Sequence, residues 1–158
     1  MPNGATPGWI EAEQAFRRIA AVYARAMDRN EPELLDDILS EDIVVVGPGF
    51  TMQGLEQARQ SPAMLRQMFL MTQHVVHNQT LTVEGDEARG ETYCTASHIL
   101  HPEGEAEAEA QGHTAYVWAI RYQDTLRKQG GAWRLARREL VVDWSEYRPV
   151  TLGLGGAA

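Results

Sequence analysis

Apolar positions recur at helical spacing at the start of the chain. Over residues 9–27, Ile10, Phe16, Ile19, Ala20, Tyr23 and Met27 fall on one stripe, which predicts a long amphipathic helix. Arg29-Asn30-Glu31-Pro32 closes it, because proline disfavours helical backbone in the residue before it. A short helix over 33–39 follows, with Leu34, Leu35 and Ile38 on one face. The β-branched run 43–46 reads as a strand broken by Gly47-Pro48-Gly49. Residues 54–60 read as a helical turn. Ser61-Pro62 then opens another helix to about residue 70, with serine as its cap and proline in its first turn.

The period then changes from helical to two. Alternation over 74–83, 88–100, 113–124 and 133–144 predicts four long strands. Turn signals stand at Glu84-Gly85-Asp86-Glu87 and Gln129-Gly130-Gly131. The acidic stretch from Pro102 to Ala110 reads as a solvated loop. Helices followed by an antiparallel meander define an α+β class: a cone-shaped, curved antiparallel sheet packed on N-terminal helices, enclosing an apolar pocket. One domain over 9–147 is expected, with flexible termini at 1–8 and 148–158.

Composition narrows the function classes. The chain has 158 residues and a net charge of −8, which argues against a nucleic-acid partner because phosphate binding needs clustered cations. Arg127, Lys128, Arg134, Arg137 and Arg138 gather on the last hairpin and read as a solvated sheet face. No apolar stretch approaches the roughly 18 residues of a membrane span. The N-terminus lacks the features of a signal peptide, so a cytoplasmic protein is expected. Cys94 is the only cysteine, which leaves no internal disulfide, and reads as a small core residue. Nucleophile-elbow, P-loop and Rossmann patterns are absent, and the five histidines lack ligand spacing, so neither metal nor cofactor is expected.

The candidate chemistry lies in Asp28, His74 and His98. Asp28 ends the first helix, where the helix dipole disfavours a carboxylate. It is either a solvated helix end or a carboxylate aimed into the pocket to orient an imidazole. On a strand, His74 shares a face with Val76 and Asn78, and His77 lies on the other, so only one histidine faces inward. His98 shares a face with the small residues Cys94 and Ala96, and a buried imidazole there needs a partner that Asp28 could supply. His101 and His113 flank the acidic loop and are expected to be exposed. Met27, Phe50, Met64, Met68, Met71 and Trp118 could line a roomy apolar pocket or simply fill a core. Asn78 could bond substrate or a neighbouring strand. Trp133 and Trp144 read as packing residues.

Several segments resemble one family: Tyr23-Ala24-Arg25-Ala26-Met27-Asp28-Arg29, the strand from His74, Glu91-Thr92-Tyr93-Cys94-Thr95-Ala96-Ser97-His98, and Gly131-Ala132-Trp133-Arg134-Leu135-Ala136-Arg137-Arg138 with Val141-Val142-Asp143-Trp144. They resemble the SnoaL-like proteins of the nuclear transport factor two-like superfamily, nearest the scytalone dehydratase and hexachlorocyclohexane dehydrochlorinase branch. The resemblance implies an α+β cone with its site in the cup. It selects His74 over His77 as general base, makes Asp28 the carboxylate that orients a histidine, and makes His98 a proton donor. The chain departs from the dehydratase pattern at two tyrosine positions, which fall at Met27 and near Gly47. The implied activity is a cofactor-independent lyase, dehydratase-like, on a small hydrophobic and cyclic substrate. An isomerase, cyclase or epoxide hydrolase on the same cup is the alternative, as is a non-catalytic ligand-binding or ring-dioxygenase small-subunit role. The Asp/His set argues against that last role. The resemblance also implies a homo-oligomer, dimer or trimer.

Overall fold

The computed structural model describes residues 6–103 and 112–153. Helix α1 spans Pro7–Arg29, so it begins inside the stretch expected to be loose. Its start is stabilised locally: the Thr6 hydroxyl accepts from the Trp9 amide at 3.3 Å, and Pro7 occupies the first turn, where a missing N–H costs nothing. Asn30 ends the helix in the left-handed conformation (φ 55°), its N–H donating to the Ala26 carbonyl. Ala12, Phe16, Ile19, Ala20, Tyr23 and Met27 form the buried stripe, while Ile10 is exposed.

The short helix foreseen over 33–39 is a 3-10 helix, Pro32–Asp37, and Leu39 instead opens strand β1 (Leu39–Gly47). A hairpin through Pro48 and Gly49 adds β2 (Phe50–Gln53), which no sequence signal announced. Helices α2 (Leu55–Ala58) and α3 (Ser61–Met68) follow. Ser61 does not cap α3. It is the first helical residue, and its hydroxyl donates to the Met52 sulfur at 3.0 Å.

The four long strands are β3 (Met71–Glu84), β4 (Glu87–Ile99), β5 (Gly112–Gln129) and β6 (Ala132–Thr151). β6 thus runs past residue 147, paired with β5 as far as Thr151. The acidic loop beyond Glu103 and the tail from residue 154 lie outside the described residues. The sheet order is β2-β1-β6-β5-β4-β3, antiparallel throughout except between β1 and β6. Register shifts between Val76 and Gln79, Ala119 and Ile120, and Thr125 and Leu126 bend the long strands, as bulges do. The sheet curves without closing.

Helix α1 packs across this curve, with Phe16, Ile19, Leu35, Ile38, Ile43, Leu126 and Leu135 at the centre of the core. Gly90 on β4 permits the close approach. A Cβ there would stand 2.5 Å from the Phe16 ring and 2.9 Å from the Thr80 carbonyl. Gly90→Val should therefore destabilise the fold by about 1–3 kcal/mol through overpacking, read as a lowered midpoint in thermal denaturation.

The basic cluster is not a uniform solvated face. Arg127 and Lys128 form surface ion pairs with Asp42 and Glu11. Arg134 donates to the carbonyls of Asp36 and Leu39. Arg138 is fully buried. Its parity on β6 matches Leu140 and puts it inside the curve, where Asp124 of β5 neutralises it.

Candidate active site

The C-terminal turn of α1 delivers Asp28 to the start of β3. Its Oδ1 accepts from His74 Nδ1 at 2.7 Å and from Thr72 Oγ at 2.9 Å, and its Oδ2 accepts from the His74 main-chain N–H at 2.9 Å. These three donors offset the unfavourable dipole position. Burial pushes the Asp28 carboxyl up, but the bonds from the His74 ring, the His74 amide and Thr72 outweigh it and hold the carboxyl below the usual carboxylate range. An ionised Asp28 only accepts, so His74 Nδ1 is the donor, and in the neutral imidazole the lone pair then lies on Nε2.

His98 takes a different partner from the one anticipated. Its Nδ1 donates to the Tyr116 main-chain carbonyl at 3.0 Å, because β4 pairs His98 directly opposite Tyr116 and Asp28 is already committed to His74. Phe69 and Trp118 flank the ring at centroid distances of 4.6 and 5.2 Å. Burial pushes the imidazole pKa down; the carbonyl bond opposes this and the nearby His74 adds to it. The two imidazoles stand 6.1 Å apart and nearly perpendicular. His77 faces outward, bonded to Thr95 Oγ.

Both histidines line a cavity of about 430 Å³. Met27, Phe50, Met64, Met68 and Trp118 line it. Phe50, Met64 and Met68 are exposed and form its rim. Two expected lining residues are elsewhere. Met71 alternates with the inward Thr72 and His74, so it lies on the outer face and is exposed. Asn78 follows the register shift after Val76, which reverses parity. Gln79 then turns inward to bond Thr92, and Asn78 is left exposed. His101 is exposed and His113 half-buried, while Trp133 is buried and Trp144 is 56% exposed. Among the described residues no cluster of three or more His, Cys, Asp or Glu could hold a metal. No helix among them is long and apolar enough to cross a membrane.

Sequence reasoning missed several wall residues: Tyr23, Met52, Phe69, Ile120, Tyr122 and Leu140. Strand parity carried the signal, since Trp118, Ile120 and Tyr122 alternate on one face of β5. Behind Tyr23 and Tyr122 lies Arg138. Its Nε and Nη2 donate to the two Asp124 oxygens at 2.8 and 2.7 Å, and its guanidinium faces both rings at 4.3 and 4.0 Å.

The lowered affinities of Asp28 and His98 for protons set the acid response. Each binds fewer protons folded than unfolded across its window, so stability falls with falling pH. For His98 the loss begins as pH drops below its ordinary value of 6.5, and for Asp28 below 3.8. Thermal melts should show a midpoint that declines from pH 7.5 to 5.5, with a shallower decline in His98→Phe.

The Asp28–His74 pair thus stands on the wall of a cavity between helix α1 and the curved sheet. Residues 9–139 match the SnoaL-like domain, and the chain belongs to the SnoaL-like family. Among solved structures, a Novosphingobium aromaticivorans protein described as a candidate scytalone dehydratase is 25% identical, with a TM-score of 0.70 over 92% of this chain and 94% of that one. The hexachlorocyclohexane dehydrochlorinase of Novosphingobium barchaimii is 16% identical, with a TM-score of 0.74 over 94% of each chain. A Kribbella flavida protein is 18% identical, with a TM-score of 0.74 over 85% of this chain and 93% of that one. At such identities the last two show the fold. Among curated proteins none matches the chain.

Proposed function

We propose that the chain is a cofactor-independent lyase acting on a small hydrophobic, cyclic molecule, with His74 as general base. The observation that carries this reading is the 2.7 Å Asp28–His74 dyad on the wall of an apolar cavity. His74 Nε2 removes a proton from substrate carbon. The freed electron pair forms a carbon–carbon double bond as the neighbouring carbon–oxygen bond breaks. The imidazolium, stabilised by Asp28, then returns its proton to the departing oxygen and water leaves. His98, neutral and with its one proton committed to Tyr116, is unsuited to the donor role. The protonated His74 supplies that proton instead. The apolar walls exclude water and strengthen the dyad's charge interactions. The Novosphingobium aromaticivorans neighbour is described as a candidate scytalone dehydratase, which supports the same class.

An isomerase would use the same base and return the proton to a second carbon. Product mass from a panel of cyclic hydroxyketones separates the two. Elimination loses one water, whereas unchanged mass in a rearranged product overturns the lyase reading. A homo-oligomer belongs to the proposal, and sedimentation equilibrium counts its subunits.

A further inference from the structure

We propose that Met64 and Met68 form an oxidation site at the mouth of the cup, where hydrogen peroxide converts both thioethers to sulfoxides and so weakens the binding of apolar ligands. The site belongs to the rim of the cavity and stands whatever reaction the Asp28–His74 dyad performs.

Helix α3 presents the two sulfurs together. Residues four apart share one face of a helix, so Met64 and Met68 stand side by side. Both line the cavity, and they are 43% and 54% exposed, so solvent reaches side chains that a ligand also touches. Other residues anchor the helix. Pro62 is buried, and Leu65 packs against the core cluster. Oxygen added at the two methionines therefore leaves those anchors in place. Phe50, which completes the rim, carries no sulfur.

The other methionines sharpen the selectivity. Met27 lines the same cavity but is only 4% exposed. The Met52 sulfur accepts the Ser61 hydroxyl at 3.0 Å, which draws on the lone pair that peroxide needs. Met71 is 42% exposed but lies on the outer face, so oxygen there leaves the cup unchanged. In the reaction a thioether lone pair attacks one peroxide oxygen as the oxygen–oxygen bond breaks. The second oxygen leaves as water after proton transfer, so sulfur loses two electrons and peroxide gains them. A flexible apolar side chain thus becomes a polar, chiral one, and enzymatic reduction reverses the change. At the mouth of an apolar cavity the sulfoxide oxygens hold water where a ligand would otherwise meet thioether, and displacing that water opposes binding.

The probe is Prodan, an uncharged naphthalene dye, titrated by fluorescence, with peptide mass mapping to place each added oxygen. Hydrogen peroxide should oxidise Met64 and Met68 of the wild-type chain ahead of Met27 and Met52, and Kd for the dye should rise about ten-fold. Circular dichroism should stay unchanged, which separates an altered mouth from unfolding. Methionine sulfoxide reductase should restore the affinity, a readout that stands even if a variant fails to fold. Met71→Leu should lose affinity on treatment as the wild type does. Met64→Leu combined with Met68→Leu, compared with itself before treatment, should shift by less than about two-fold. Earlier oxidation of Met27 or Met52, unchanged affinity with both sulfoxides in place, unfolding on treatment, or a loss that persists in the double leucine variant would each overturn the proposal. So would a dye that fails to bind the untreated chain, since the mouth would then admit no apolar ring.

Discussion

Asp28→Asn is expected to lower turnover by about 10²- to 10⁴-fold while leaving the fold intact, the range that a positioned general base contributes. The geometry gives the reason. Asp28 accepts three hydrogen bonds, from Thr72 Oγ, the His74 amide and His74 Nδ1. The Thr72 hydroxyl and His74 Nδ1 share Oδ1, so an asparagine whose oxygen keeps the bond from the His74 amide turns its amide group toward the other two. Its amide group would face Nδ1 as a donor, which drives the imidazole proton to Nε2 and removes the lone pair that takes the substrate proton. The loss of negative charge also leaves the imidazolium formed in the reaction uncompensated. Steady-state kinetics on the folded variant, with circular dichroism as the fold control, measures the effect. Near wild-type turnover would show that Asp28 is a structural cap only.

Asp124→Ala is expected to cost about 3–5 kcal/mol of stability, the range for removing one partner of a buried ion pair. Against the roughly 5–15 kcal/mol that holds a typical domain folded, that is a large share. Both side chains of the pair are wholly inaccessible to solvent. Arg138 Nη1 already lacks a hydrogen-bond partner, so the guanidinium has no reserve of donors in use once Asp124 is gone. Replacing both residues together, Asp124→Leu with Arg138→Met, should recover much of the loss, because a matched apolar pair leaves no buried charge. Urea denaturation of the single and double variants measures both. The single variant should also disturb the cavity, since Tyr23 and Tyr122 pack on the guanidinium and line the cup.

The helical stripe of α1, its stop at Pro32 and the hairpin turns at Gly85 and Gly130 were legible because each rests on local spacing. Asp28 and His74 were legible as candidates, and strand alternation correctly placed only one of His74 and His77 inside. What escaped depends on events beyond a local window. The bulge after Val76 reverses parity and ejects Asn78, and nothing in Val76-His77-Asn78-Gln79 marks it. The four-residue strand β2 is too short to show a period. The partner of His98 is a carbonyl on the neighbouring strand, which side-chain reading cannot see. Arg138 and Asp124 are 14 residues apart and meet only because β5 and β6 pair across the Gly130-Gly131 turn. Met71 was available from alternation alone, since it cannot share a face with Thr72's neighbour His74.

The general-base role of His74 is tested most directly by carbon–hydrogen exchange in D₂O. With a small cyclic ketone in the cup, the wild-type chain should wash deuterium into the position beside the carbonyl. Folded His74→Ala should do so about 10²-fold more slowly or less. Equal exchange rates in the two proteins would contradict the assignment of the Asp28–His74 dyad as the proton-transferring centre.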